Sequence, residues 1–386
     1  MKTFFHLVIR EFNRVFRRRS ALVIILIIPL IVFFYLGSIY VRGSIDKVSI
    51  MVVNLDKGYL SNTILNTLGS SPKIEIEEYE QSAVQPEKVF LDYPNVKGML
   101  ILPQGLTNSV YQGRQTEIKV YTNSSNIIFG NLIYKEIATF INTVSAGISL
   151  NYLILEGLPV KAAENLVLPV RVQAKPLFNP YYNYLYYLLP GLTSVLLQMI
   201  VFFLAARSMN SEIKDESFSD LLKLSGYRIG TILGSKLLAY TLIGMCIAIF
   251  IYALVHPVMG IPTSSSILKF LPFLLLFVMT NVMLGMMVSL LFSNEAIAMD
   301  TAFVYNSPAF VFSGFTYPIL AMPSFESWYA QLIPYTHFLK AFTKTVEMQG
   351  TLKASAYEAG VLLIFFLTGY LVFVFGLDRK IETRTR

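Results

Sequence analysis

The sequence predicts an α-helical integral membrane protein with six transmembrane helices, plus a mixed α/β extracytoplasmic domain inserted between spans one and two. Three observations lead there. Of 386 residues, 54% are hydrophobic and only 14% charged, with a mean hydropathy of +0.57, whereas a water-soluble domain carries about 25% charged residues. Charges are absent from six long runs, 20–41, 176–206, 237–268, 270–294, 301–325 and 359–377, each exceeding the roughly 18 apolar residues that cross a bilayer as a helix. Between the first two runs, residues 42–175 hold twelve basic and twelve acidic residues, the balance of an ordinary soluble domain. Disorder is excluded by the apolar content. The lone cysteine, Cys246, excludes an internal disulfide and a C-x-x-C zinc site.

Residues 1–19 carry a net charge of +5 and abut span one (20–41), so the positive-inside rule places the amino terminus in the cytoplasm. Phe5, Val8, Phe12 and Val15 or Phe16 recur at helical spacing while Arg10, Arg14 and Arg17 point elsewhere, which predicts an amphipathic elbow helix in the inner interface. The apolar run after it is too long for a signal-peptide core and no small-x-small site follows, so it reads as a retained span. The remaining expected elements are a domain over 42–177, span two at 181–206, a cytoplasmic coupling loop at 207–228, span three at 229–255, span four at 270–293 and span five at 299–320. An outer re-entrant or amphipathic segment over 321–357, span six at 358–377 and a cytoplasmic tail at 378–386 complete the chain. Six crossings put both termini on the basic, cytoplasmic side; the arginines there serve topology and lipid headgroups, and nucleic acid is not an expected partner.

Within the insert, Val48–Asn54, Ile74–Tyr79, Lys97–Leu102 and Glu117–Tyr121 read as strands, with Leu168–Gln173 as a returning strand. Short helices are expected near 60–69, 83–91 and 104–112, and a long one over 125–157. Its uncharged part, 137–155, rivals a span in length, but Thr139, Asn142, Thr143, Ser145, Ser149 and Asn151 suit a helix packed on protein. Phe178, Tyr181, Tyr182, Tyr184, Tyr186 and Tyr187 crowd the start of span two, as an aromatic belt at the interface would. Residues 210–224, NSEIKDESFSDLLKL, combine dense charge with Phe218, Leu221, Leu222 and Leu224 at helical spacing, predicting a short amphipathic helix along the inner surface.

Little in the chain suggests catalysis. His6, His256 and His337 lack ligand-spaced companions, so no metal centre is expected. Ser313 and His337 do not form an intramembrane protease pair, because no glycine lies two residues before the serine and the histidine falls in an outer loop. No Gly-Lys dipeptide occurs, so a phosphate-binding G-x-x-x-x-G-K-[ST] loop is absent. Polar residues within spans, Asn183, Gln198, Asn281 and Asn306 with Thr193, Thr280 and Ser289, serve either helix-to-helix hydrogen bonds, the preferred account, or substrate contact.

FSGFTYPILAMPSFESWYAQLIPYTHFLKAF (312–342) resembles the segment after span five in permeases of the ABC type-2 family, with Ser313, Gly314, Phe315, Pro318, Met322, Pro323, Trp328, Pro334, Phe338 and Leu339 at the matching places. VKGMLILPQGLTNSVYQGRQTEIKVYTNSSN (96–126) is similar to that family's extracytoplasmic piece, and LLPGLTSVLLQMI (188–200) to its second span. The inner loop departs from the pattern: Ser217-Phe218 stand for Gly-Thr, Ser225-Gly226 lie near the usual proline, and Gly234-Ser235-Lys236 replaces Gly-Lys. The resemblance implies a non-enzymatic permease subunit of an exporter, with ATP and magnesium bound on a separate cytoplasmic ATPase dimer and no cofactor on this chain. It implies pairing with a second permease copy or a sister permease, placement in a bacterial inner membrane, and association with a periplasmic adaptor and an outer-membrane channel. ATPase coupling would fall to Arg10, Arg14, Glu212, Lys214, Asp215, Glu216, Leu221 and Leu222, and a translocation path would involve Asn183, Gln198, Asn281, Asn306, Ser313 and Phe315. A lipid, a drug-like compound or another hydrophobic molecule suits such apolar walls. The alternatives are an ABC complex that transmits force to a periplasmic partner without transport, and a stand-alone membrane enzyme or receptor.

Overall fold

The computed structural model describes residues 2–40, 47–80, 82, 84–169, 177–179, 183–261 and 266–385. The chain divides into two compact units, Ser44–Lys175 and the remainder.

The inserted unit is an α/β structure. Strands β1 (Val48–Asn54), β2 (Ile74–Glu80), β3 (Gly98–Leu102) and β4 (Lys119–Thr122) form a sheet in the order β2-β1-β3-β4. The β1–β2 and β1–β3 pairs are parallel and β3–β4 is antiparallel. Helices Tyr59–Gly69 and Pro86–Asp92 supply the crossovers that parallel neighbours require. As the central strand, β1 needs apolar side chains on both faces, which VSIMVVN provides. Val48, Ile50 and Val52 join Leu100, Leu102, Ile64 and Ile133 on one face, while Met51 and Val53 join Met99 and Val89 on the other, as a period of two dictates. Most of Leu168–Gln173 lies outside the described residues.

Helix Ile127–Leu155, capped by the Asn126 side chain, is long and apolar enough to cross a membrane by length and composition. Its first half is committed elsewhere: Ile133 and Ile137 are buried in the sheet's core, and Phe129, Leu132, Phe140, Ile141 and Val144 pack around them. Beyond Val144 too few residues remain for the ~20-residue crossing.

The other five helices with span-like length and composition are Arg19–Ile39, Tyr184–Lys214, Ile229–Val258, Ile267–Leu291 and Leu352–Glu382. All belong to the larger unit, near the places expected for spans one to four and six. Two of them contain a π turn, at Val23–Ile27 and Ile251–Val255, each just before a proline, Pro29 and Pro257. A proline ring clashes with the carbonyl four residues back, and a one-residue bulge in the ladder relieves that clash. Span two crosses span four closely: a Cβ on Gly285 would lie 2.6 Å from the Phe202 carbonyl oxygen and 2.7 Å from Ala205 Cβ. The Ser289 hydroxyl accepts from Met209 N (2.8 Å) and Asn210 N (3.1 Å), satisfying backbone donors where span two hands over to the next helix.

Span five differs from the expected continuous 299–320. It runs as Glu295–Asn306 and Ala309–Phe312, interrupted at Ser307–Pro308 where proline removes a ladder donor. It stops before Gly314, whose φ of 88° is left-handed. The last helix runs over Ala356–Thr385, through most of the expected tail, since neither proline nor a left-handed residue stops it. Between them, 321–357 folds into helices Ser324–Gln331 and Pro334–Phe342 and a π turn, Thr343–Glu347. Phe338 anchors this segment in the bundle, its ring centroid 3.9 Å from that of Phe277 in a stacked contact.

In the inserted unit, burial opposes ionisation of Asp56, but hydrogen bonds from the Thr107 hydroxyl and N–H and from Gly58 N–H hold its carboxyl below the usual carboxylate range. Its stabilisation is therefore complete above the unfolded value of about 3.9 and is lost as pH falls through the depressed folded value. Asp56→Ala is expected to cost about 1–3 kcal/mol at pH 7. Hydrogen exchange of residues 54–62 and 105–110 in the detergent-solubilised chain checks it: exchange should quicken in the variant, and equal rates would remove Asp56 from the fold's supports.

Candidate functional site

One end of the helix bundle carries a network of charged side chains. Helix Lys2–Arg17 presents Arg10 and Arg14 one turn apart, with buried Glu11 between them. The chain leaving span two turns immediately into helix Asn210–Lys214, which places Glu212 beneath them. Arg10 donates to both oxygens of Glu212, Nη1 to Oε1 at 2.7 Å and Nη2 to Oε2 at 2.9 Å, the bidentate geometry that a planar guanidinium favours. Arg14 donates to Glu212 Oε2 (2.9 Å), Ser217 Oγ (2.6 Å) and Asp215 Oδ2 (3.0 Å), and Arg18 also pairs with Asp215.

Lys236, on the third span, is fully buried and completes the centre. Its ammonium donates to Glu11 Oε1 (2.6 Å), the Ser208 carbonyl (3.1 Å) and Glu212 Oε1 (3.2 Å), using all three donors. Arg10, Arg14, Arg18 and Lys236 thus face Glu11, Glu212 and Asp215. Burial pushes the Glu11 carboxyl up from its ordinary value against the pull of the Lys236 ammonium. Beside this network Glu295 binds Arg207 and Lys214 (3.1 Å to the latter), and Arg207 reaches Ser20 Oγ at 3.0 Å. A cleft of about 490 Å³, lined by Arg207, Ile213, Lys214, Asn294, Glu295 and Met299 among others, opens next to that group.

The eight residues expected to couple to an ATPase therefore separate into three environments. Arg10, Arg14, Glu212 and Asp215 come together in the ion network, with Glu212 wholly inaccessible. Lys214 and Glu216 are exposed, Glu216 with a left-handed φ of 55° at the turn between the two loop helices. Leu221 and Leu222, on helix Phe218–Ser225, are buried with Phe218 in the main core. The expected single surface helix over 210–224 is thus two short helices rooted in the bundle, because the apolar stripe faces the neighbouring spans and the left-handed turn breaks the run. Sequence reasoning did not assign Glu11, Arg18, Arg207, Lys236, Ser217 and Glu295 to this site. Two signals were present: Glu11 is the lone acid among six basic residues, and Lys236 directly precedes an uncharged run.

The six residues expected along a path take helix contacts and caps in this single chain. Gln198 Nε2 donates to Asn306 Oδ1 at 2.9 Å, joining span two to span five. Asn281 donates to the Phe277 carbonyl of its own helix. Asn183 caps span two, accepting from Leu185 N at 2.9 Å. Ser313 is buried, and Phe315 stacks on Tyr187 with centroids 5.4 Å apart.

The geometry predicts that Lys236→Met costs about 3–5 kcal/mol, because Glu11 is left buried and uncompensated. Glu11→Met with Lys236→Met should recover most of the loss. Thermal unfolding of the purified variants measures this, and a double variant no more stable than the single would show that the pair is uncoupled.

A family profile described as ABC-2 family transporter protein matches residues 19–377. Two curated proteins are similar over nearly the whole chain, each named "Probable multidrug ABC transporter permease YbhS", from Escherichia coli K12 and from Escherichia coli O157:H7. Each is 22% identical over 342 residues, covering 86% of this chain and 85% of the relative.

Proposed function

Because this chain belongs to the ABC-2 family of transporter proteins, we propose that it is the transmembrane permease subunit of an ATP-driven exporter. Paired with a second copy or a sister permease and with a cytoplasmic ATPase dimer that binds ATP and magnesium, it moves a lipid, drug-like or other hydrophobic molecule outward across a bacterial inner membrane. Both termini lie in the cytoplasm, and the inserted α/β unit lies outside, where it meets an adaptor and an outer-membrane channel. Its relatives' printed name supports the hydrophobic substrate class.

The observation that carries this reading is the ion network. A transporter powered from one side must carry a push at its inner surface to a gate about 30 Å away, and that needs a lever with discrete packings. The network cross-links the amino-terminal helix, the loop after span two and the third span through Glu212 and Lys236. A force applied to any one of them reaches the other two. Leu221 and Leu222 root the second loop helix in the core, so displacement of its exposed side passes inward. The docking surface is then the exposed rim, Lys214, Glu216 and Lys223, together with the adjoining 490 Å³ cleft, while the buried Arg10, Arg14 and Glu212 hold that rim to the spans.

Purification from native membranes should yield a stoichiometric ATPase with this chain. In the reconstituted complex, Lys223→Glu with Glu216→Lys should lower substrate-coupled ATP hydrolysis by about threefold to tenfold without altering folding. Full coupled transport by that variant would move the docking surface elsewhere. ATP hydrolysis with no vesicle transport, but with an altered activity of an outer partner, would replace the exporter by a force transmitter.

A further inference from the structure

At the end of the bundle away from the ion network, the entry to span two, the π turn of span three, the start of span four and the Thr343–Glu347 turn enclose a cavity of about 450 Å³. That volume falls within the roughly 300–1,000 Å³ of small-molecule sites. Its wall includes Phe178, Tyr186, Tyr187, Tyr252, Phe342 and a carboxylate, Glu347. Two of the tyrosines have their hydroxyls committed to protein. Tyr187 donates to the Phe315 carbonyl, and the Tyr252 hydroxyl lies 2.7 Å from Ser194 Oγ. Their polar ends are thereby anchored while ring surface stays in the wall, and Tyr252 sits 5.7 Å from Phe342 in a tilted pair. The sequence reading of these aromatics as an interfacial belt accounts for their number but not for their gathering around a void.

Glu347 makes no ion pair among the described residues. Lys344, three residues before it, is held by Glu358 at 2.6 Å. Glu347 is itself exposed on that wall, so its carboxylate is open to a cation brought from outside. Aromatic faces attract cations through their quadrupoles, most strongly where water is scarce.

We propose that this cavity binds lipophilic organic cations, the aromatic and apolar wall taking the hydrocarbon and Glu347 taking the charge. Its use as a substrate station rests on the exporter reading, whereas binding itself does not.

The test uses the full chain in nanodiscs of uncharged phosphatidylcholine, with tetraphenylphosphonium as probe and tetraphenylborate as its anionic isostere. Equilibrium dialysis, with uptake by empty nanodiscs subtracted, should find saturable binding of tetraphenylphosphonium and none of tetraphenylborate. Glu347→Gln should weaken the cation's affinity by about tenfold, and Glu347→Lys should abolish it and admit the borate, both variants keeping the wild-type gel-filtration profile. Equal affinity of Glu347→Gln and wild type for the cation, or equal binding of both isosteres by wild type, would overturn the proposal. Binding by wild type without ATP-dependent efflux from proteoliposomes would leave the site and remove the exporter. ATP-dependent efflux with an unchanged cation affinity in Glu347→Gln would do the reverse.

Discussion

A lysine with no exposed surface on a membrane-spanning helix sets the arrangement of one whole end of this protein. Lys236 can be charged there only because Glu11 and Glu212 reach it from two other elements, and Glu212 in turn requires Arg10 and Arg14. Each partner is far away in sequence, so the amino-terminal helix, the loop after span two and span three have to meet. An ion pair of this kind is not needed for stability in itself, since apolar substitutes of the same volume can do as well. Its effect is specificity: any packing that separates these elements strands a charge in a low-dielectric interior. That constraint makes a jointed end of the bundle behave as one piece.

The helical ladder of the spans is interrupted in several places. The π turns before Pro29 and Pro257 and the break at Pro308 are places where backbone hydrogen bonding is already altered, and such places bend at lower cost than an intact helix. The cavity walled by Tyr187, Tyr252 and Glu347 adjoins one of them, the Ile251–Val255 turn.

Much of the fold was legible beforehand. Long uncharged runs marked spans one to four and six because lipid tolerates little else, and the β-branched, apolar run Val48–Asn54 marked a strand. The long helix of the inserted unit has the length and composition of a span, and its serines, threonines and asparagines are what favour packing on protein. The end of span five was not legible, because the run 301–325 stays uncharged through Gly314, and the helix ends on a backbone dihedral rather than on a polar residue. Charge density in the loop after span two predicts a surface helix, since it normally means exposure. Here Glu212 is charged and buried, and only knowledge of Arg10, Arg14 and Lys236 nearby reverses that inference.

The sequence by itself determined that this chain crosses a membrane, which end is basic, where an α/β unit is inserted, and, through its motif pattern, the family it resembles. These properties follow from composition and local periodicity, which act over a few turns of chain. Only the tertiary structure decided which charges pair, that Glu212 and Leu222 face inward while Lys214 and Glu216 face out, and that belt-like aromatics gather with a carboxylate around a void. Those outcomes depend on contacts between residues up to some two hundred positions apart, such as Arg10 with Glu212, and no local pattern encodes them.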